Sequence, residues 1–248
     1  MLLPFELTLS NLKPYPKSGH SYALGAAVAL ELFQRRPEAA LGLIVSPDAG
    51  DNAGVSRLIG IANASGLPML TSARAIERLS PKGNCYAIGV FAPCPDALDA
   101  EANHVVLVSP GDAGNLGTIL RSALAFGVRD VALIGGADPF DPRVVRASMG
   151  ALFSMRIARY DDFNAYTADI SSRPRSLYPF MLDAQTLLHD AVPQAPFSLI
   201  LGNEADGLPE AFLRIGTPVR IAHSDAVDSL NLAVATAIGL WHFTKPGG

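Results

Sequence analysis

Apolar positions along the chain follow two rhythms. Apolar-rich runs at Leu41–Val45, Tyr86–Phe91, His104–Val108, Val131–Ile134, Leu177–Leu182, Phe197–Leu201 and Val219–Ile221 predict short buried strands, and Gly66–Leu70 leads into another. Helical spacing of apolar residues predicts helices over Tyr22–Phe33, Val55–Ala64, Ala73–Leu79, Leu116–Phe126, Pro142–Ser148 and Ser229–Phe243. Ser72 suits an N-cap, Gly127 a helix stop, and Asp228 or Ser229 the cap of the last helix. Strands that alternate with helices imply an α/β fold, its sheet mostly parallel and covered on both faces.

The rhythm breaks once. Ala92-Pro93-Cys94-Pro95-Asp96 is rich in turn formers, and the polar stretch to Asn103 has no strand signal. We therefore expect a small α/β domain over 1–95, a linker over 96–103 and a larger α/β domain over 104–248.

Composition narrows the class. The 248 residues are 49% hydrophobic and 17% charged, which excludes disorder and low-complexity architecture. No apolar run reaches the ~18 residues of a membrane span, and Met1–Asn11 has neither a basic start nor a cleavage-like site, so no membrane or secretory address is expected. Two cysteines, Cys85 and Cys94, exclude a disulfide framework and fit the cytoplasm. His20, His104, His189 and His242 share no metal-ligand spacing, so no metal is expected. The net charge of −4 argues against non-specific binding of nucleic acid. Yet 15 of the 19 cations are Arg, and from His104 onward ten Arg face one Lys, Lys245. A few placed guanidinium forks can bind phosphate where net charge does not. In the first domain Lys13, Lys17, Arg35, Arg36, Arg57, Arg74, Arg78 and Lys82 are scattered, so it has no basic run.

Ligands of such sheets bind beyond the carboxyl ends of the strands, and three stretches there stand out. Ser109–Arg121 runs from a strand through Gly111, Gly114 and Gly117 into a helix. That arrangement offers main-chain N–H groups to an anion, but no Gly-Lys-Ser/Thr follows. Leu199–Pro209 ends a strand in Gly202-Asn203-Glu204-Ala205-Asp206-Gly207, an amide-rich loop suited to an adenine edge with a polar tail. Val219–Ala233 leads through Ala222-His223-Ser224-Asp225 to Ser229-Leu230-Asn231. An Asn in the first turn of an apolar helix points beyond packing.

In order and content these stretches resemble the SpoU (TrmH-type) ribose 2′-O-methyltransferases of the SPOUT superfamily. The motifs are Asn115-Leu116-Gly117-Thr118-Ile119-Leu120-Arg121, Gly202 to Leu208, and Ser229-Leu230-Asn231, with a minor match at Ala147–Ala151. The resemblance covers about residues 104–243. It implies a C-terminal domain with a trefoil knot, a preceding RNA-binding domain, and a homodimer in which Arg121 of one chain reaches the site of the other. It implies S-adenosylmethionine as cofactor, held near Leu201, Gly202, Asn203, Gly207, Ile221, Ala222, His223 and Leu230. The implied catalytic set is Asn115, Arg121, Glu204, Ser229 and Asn231. Arg121 would hold the phosphate or the developing alkoxide, and Glu204 would orient Arg121 or close the site. The implied substrate is RNA, with ribosomal RNA preferred over transfer RNA. DNA is not expected, because the 2′-hydroxyl receives the methyl. The chain departs from the family at Ala222, His223 and Asp225, where Pro, Met and Gly are usual. A catalytically silent RNA-binding relative and a base-nitrogen methyltransferase are the alternatives. Arg143 and Arg146 are further cations that could face RNA, Arg173 and Arg175 mark a loop on the substrate side, and Trp241 suits the core or a dimer seam.

Overall fold

The computed structural model describes residues 6–17, 19–81 and 83–244. Lys82, Lys245 and the first residues of the Met1–Asn11 stretch lie outside them. The chain forms two compact units: Met1–Cys94 with Pro139–Phe153, and Pro95–Asp138 with Ser154–Gly248.

The first unit contains β1 (Ser21–Leu24), α1 (Ala26–Arg35), β2 (Ala40–Val45), α2 (Ala53–Ala64), β3 (Met69–Thr71), α3 (Ala73–Leu79) and β4 (Ala87–Phe91). Its sheet runs β1-β4-β2-β3, with β4 antiparallel to both neighbours and β3 parallel to β2. Ser72 caps α3 through a 3.2 Å bond from Ala75 N, as expected. Residues 22–24 are strand, not the expected start of a helix. Gly25, at φ 100, ends β1, and the helical spacing begins only after it.

The second unit contains β5 (His104–Val108), α4 (Ala113–Ala125), β6 (Asp130–Ile134), β7 (Arg156–Tyr160), α6 (Phe163–Asp169), β8 (Ser176–Pro179), β9 (Thr186–Leu187), β10 (Phe197–Leu201), β11 (Val219–Arg220) and α7 (Leu232–Phe243). Its main sheet is wholly parallel in the order β7-β6-β5-β10-β8, and β9 pairs with β11. The central strands β5, β6 and β10 are nearly continuous apolar runs, as burial on both faces requires. Gly127, at φ 78, follows the end of α4. β7 and α6 have no counterpart among the elements that the apolar pattern predicts. β7 is an edge strand whose Arg156 and Arg159 interrupt its apolar residues.

Two expected boundaries differ. The stretch expected as a linker is built into the second unit: Asp96 N bonds Ile157 O at 3.1 Å, and Asp99 N bonds Asp130 Oδ1 at 2.9 Å. The second domain was expected to run unbroken, but Pro139–Phe153, with its short helix α5 (Pro142–Ala147), packs in the first unit. There Ser21 Oγ donates to Phe140 O, and the Phe91 ring meets Phe140 and Phe153 edge-on. Among the described residues no helix is long and apolar enough to cross a membrane.

Buried polar groups gather at the amino ends of the parallel strands. Asp130 is fully buried and receives the Arg156 guanidinium on both oxygens. His104 Nε2 lies 2.8 Å from Asp99 O, and its Nδ1 lies 2.9 Å from Tyr166 Oη. A carbonyl only accepts, so Nε2 carries the proton and Nδ1 accepts from the tyrosine. Burial, helped by the nearby Arg175, lowers the His104 pKa to about 4.

Candidate active site

The loops that follow β5, β10 and β11 converge. After β5, Ser109 turns at φ 53, and Asp112 starts α4 by accepting Asn115 N on Oδ1 at 2.7 Å. After β10, the chain folds back on itself. Gly207 N bonds Asn203 O at 3.2 Å, and a Cβ on Gly202 would stand 2.0 Å from the Gly207 carbonyl carbon. Only glycine permits that approach. Asn203 Oδ1 fixes the turn by accepting Ala205 N and Asp206 N at 2.8 and 2.7 Å. After β11, the chain passes Ile221 and His223 to Asn231. Asn231 caps α7: its Oδ1 accepts Ala233 N at 2.9 Å and Val234 N at 3.3 Å.

One row of side chains ties the three loops. Glu204 Oε2 accepts Gly111 N at 3.1 Å, while its Oε1 accepts Asp112 N at 3.3 Å and Asn115 Nδ2 at 2.9 Å. Asn115 Oδ1 in turn accepts Asn231 Nδ2 at 3.0 Å. These bonds fix both amide orientations, because each amide donates through nitrogen and accepts through oxygen. Glu204 is held below the usual carboxylate range. Burial pushes the other way most strongly, but the Asn115 amide and the N–H groups of Gly111, Glu204 itself and Asp112 together outweigh it. Glu204 is thus a fixed anion with its acceptor sites largely filled.

Beside this row lies a cleft of about 610 Å³, within the range of small-molecule sites. Asn115, Glu204, Ser229 and Asn231 line it, as do Leu201, Gly202, Asn203, Gly207, Ile221, His223 and Leu230. Among the described residues, the main-chain groups of Ile221, Ser229 and Leu230 take part in no hydrogen bond. They are donors and acceptors available to a ligand. His223 Nδ1 lies 3.0 Å from Ser224 O, which leaves Nε2 of the neutral ring as an acceptor.

Residues 102–241 match the SpoU rRNA methylase family. The chain belongs to that family. It is 33% identical over 145 residues to a ribosomal RNA small subunit methyltransferase G 2 of Syntrophobacter fumaroxidans, covering 57% of this chain and 27% of that protein. It is 30% identical over 158 residues to the 23S rRNA (guanosine(2553)-2′-O)-methyltransferase RlmP of Bacillus subtilis, covering 62% of this chain and 63% of that one. The chain thus spans less than two thirds of the length of these curated relatives. An AdoMet-bound rRNA methyltransferase from Sinorhizobium meliloti superposes with a TM-score of 0.78 at 26% identity, over 92% of this chain and 87% of that one.

Within the SpoU motifs the structure separates some residues that the sequence grouped. Arg121 is exposed on α4 and does not line the cleft of its own chain. It makes no hydrogen bond or ion pair with another described residue. Glu204 therefore does not orient Arg121 within one chain; its oxygens hold the start of α4 instead. Ala222 is exposed and off the cleft wall, as is Asp225. The cap of α7 is Asn231, not Asp228 or Ser229, and α7 starts three residues later than expected. Arg175 turns inward rather than toward a substrate: it donates to Ser198 Oγ at 2.9 Å, Ala100 O at 3.0 Å and Ala102 O at 2.7 Å. Trp241 is 54% exposed, so it is not a core residue. The cleft wall also holds Asp206 and Arg220, to which the motifs assign no role. Arg220 ends β11 and Asp206 lies in the loop after β10, but in the sequence each reads as an ordinary surface charge.

Proposed function

We propose that this chain is an S-adenosylmethionine-dependent RNA methyltransferase that acts on a ribose 2′-hydroxyl of ribosomal RNA in the cytoplasm. The observation that carries the reading is the Glu204–Asn115–Asn231 row at the mouth of a cleft whose Ile221 and Leu230 main chain is unpaired. Those main-chain groups, with Gly202 and His223, would hold the cofactor; the glycine-tight loop at Gly202 fits a ligand that lies against backbone. When bound, the cofactor supplies an electrophilic methyl group. Everything else is positioning. Asn115 and Asn231, fixed by their mutual bond, would present amide edges to the ribose, and Ser229 a hydroxyl. Glu204 keeps Asn115 in place; a carboxylate held below its usual range is a poor base. Arg121 would bind the adjacent phosphate and stabilise the negative charge that develops on the 2′-oxygen as it takes the methyl group and its proton passes to solvent water.

The reading includes the trefoil knot, an RNA-binding first unit and a homodimer. Support for the dimer comes from α7, which is apolar on every side. A soluble helix of that kind needs cover on all its faces. Its outer face exposes Val234 (49%) and Trp241 (54%), which with Ile238 form a groove against Thr118 and Ser122 of α4 and Phe126 just past its end. Arg121 sits on the same side of α4, one turn from Thr118, and in the dimer would enter the partner's cleft.

The test is transfer of labelled methyl groups from S-adenosylmethionine to size-fractionated total RNA, with Arg121→Ala as control. We expect label in ribosomal RNA that resists alkaline cleavage and is lost in the variant. Label in transfer RNA would move the substrate, and label on a base nitrogen would overturn the ribose assignment. Folded protein that neither labels RNA nor binds cofactor would make the chain a silent RNA-binding relative.

A further inference from the structure

Five ionisable side chains line the cleft: Asp112, Glu204, Asp206, Arg220 and His223. Three are engaged. Asp112 caps α4, Glu204 accepts three N–H groups, and His223 is tied to Ser224 O. Asp206 and Arg220 remain. Among the described residues neither side chain makes a hydrogen bond or an ion pair, with the other or with anything else, and both are exposed. The cleft therefore presents one uncommitted anion and one uncommitted cation.

That pair matches one chemical feature. An α-amino acid tail carries an ammonium and a carboxylate on the same carbon. A guanidinium fork binds a carboxylate through two parallel hydrogen bonds, and a carboxylate accepts an ammonium. We propose that Arg220 and Asp206 clamp the zwitterionic amino acid tail of the cofactor, Arg220 on its carboxylate and Asp206 on its ammonium. This rests on the cofactor reading above and goes beyond the motif residues. It makes the two residues determinants of ligand choice, because a nucleoside without the tail gains nothing from them.

The probes are S-adenosylhomocysteine, which has the tail, and 5′-methylthioadenosine, which shares the adenosine thioether but lacks it. Both are titrated calorimetrically into wild type, Arg220→Ala, Arg220→Lys and Asp206→Asn. We expect wild type to prefer S-adenosylhomocysteine. Arg220→Ala and Asp206→Asn should each weaken it by about tenfold or more, the scale of one lost charge-assisted contact. Arg220→Lys should lose less, and 5′-methylthioadenosine should bind every variant as it binds wild type, which also proves the variants folded. Equal losses for both probes, or none for either, would overturn the clamp while leaving the cofactor reading intact. If Arg220→Ala raised only the KM for RNA, that too would overturn it and give Arg220 to the substrate. Wild type that bound neither probe would end the cofactor reading and the clamp together.

Discussion

His104 should make the second unit acid-sensitive well above the pH at which carboxylates titrate. In the unfolded chain its pKa is close to the ordinary 6.5, and in the folded chain it is about 4. Below pH 6.5 the unfolded chain takes up a proton that the folded one refuses, so stability falls as the pH drops, until the folded ring protonates near 4. The full gap corresponds to about 3 kcal/mol, and by pH 5 the loss should be about 2 kcal/mol. Protonation at Nδ1 would break the bond from Tyr166 and set a second cation beside Arg175, whose Nη2 is 3.5 Å from the ring. The measurement is urea unfolding between pH 7.5 and 4.5, followed by fluorescence of Trp241, the chain's single tryptophan, which lies in this unit. His104→Gln keeps a donor for Asp99 O but cannot titrate. It should be less stable at pH 7.5 by about 1–3 kcal/mol, yet lose about 2 kcal/mol less than wild type between pH 7.5 and pH 5. Parallel pH profiles for the two proteins would refute the reasoning, because the extra acid sensitivity would then belong to other groups.

Two further expectations concern the cleft. Asn231→Ala removes the cap of α7 and the donor to Asn115; it should cost about 1 kcal/mol in urea unfolding and abolish most methyl transfer, and unchanged activity would separate the cap from the chemistry. Gly202→Ala sets a methyl group against the Gly207 backbone; the loop must open, so cofactor binding measured by calorimetry should disappear, and an alanine variant with native affinity would show the loop to be looser than its geometry.

Much of this was legible in the sequence because local signals agreed. The apolar runs of β5 and β10 match the observed strands end to end, since buried parallel strands need no polar alternation. Ser72 and Gly127 sit where side-chain capping and positive φ demand them. The failures have equally local causes. β1 and α1 are separated by a single residue, so their apolar residues merge into one pattern. β7 lies at a sheet edge, and its arginines serve long-range partners: Arg156 neutralises Asp130, and Arg159 reaches Gly136 O and Ala137 O. The motifs named the residues of the site but not their connections. That Glu204 serves Asn115 rather than Arg121 depends on loops 89 residues apart, and no spacing rule encodes that. In the sequence Asn231 stands out as an amide inside an apolar helical pattern; in the structure it is the residue that starts the helix.

The Asn115–Asn231 bond joins two residues that each have a second employment: the Asn115 amide ties Glu204 to the start of α4, and Asn231 caps α7. The chain therefore has little freedom to explore new substrates by changing these two positions. Any variant that reshapes the amide edges also frees Glu204 from Asn115 or frays α7, so it meets a penalty in thermostability before its new specificity can be tried. Diversification of this cleft should instead run through wall residues without structural duties, and relatives that differ in substrate should differ there while the two asparagines stay put.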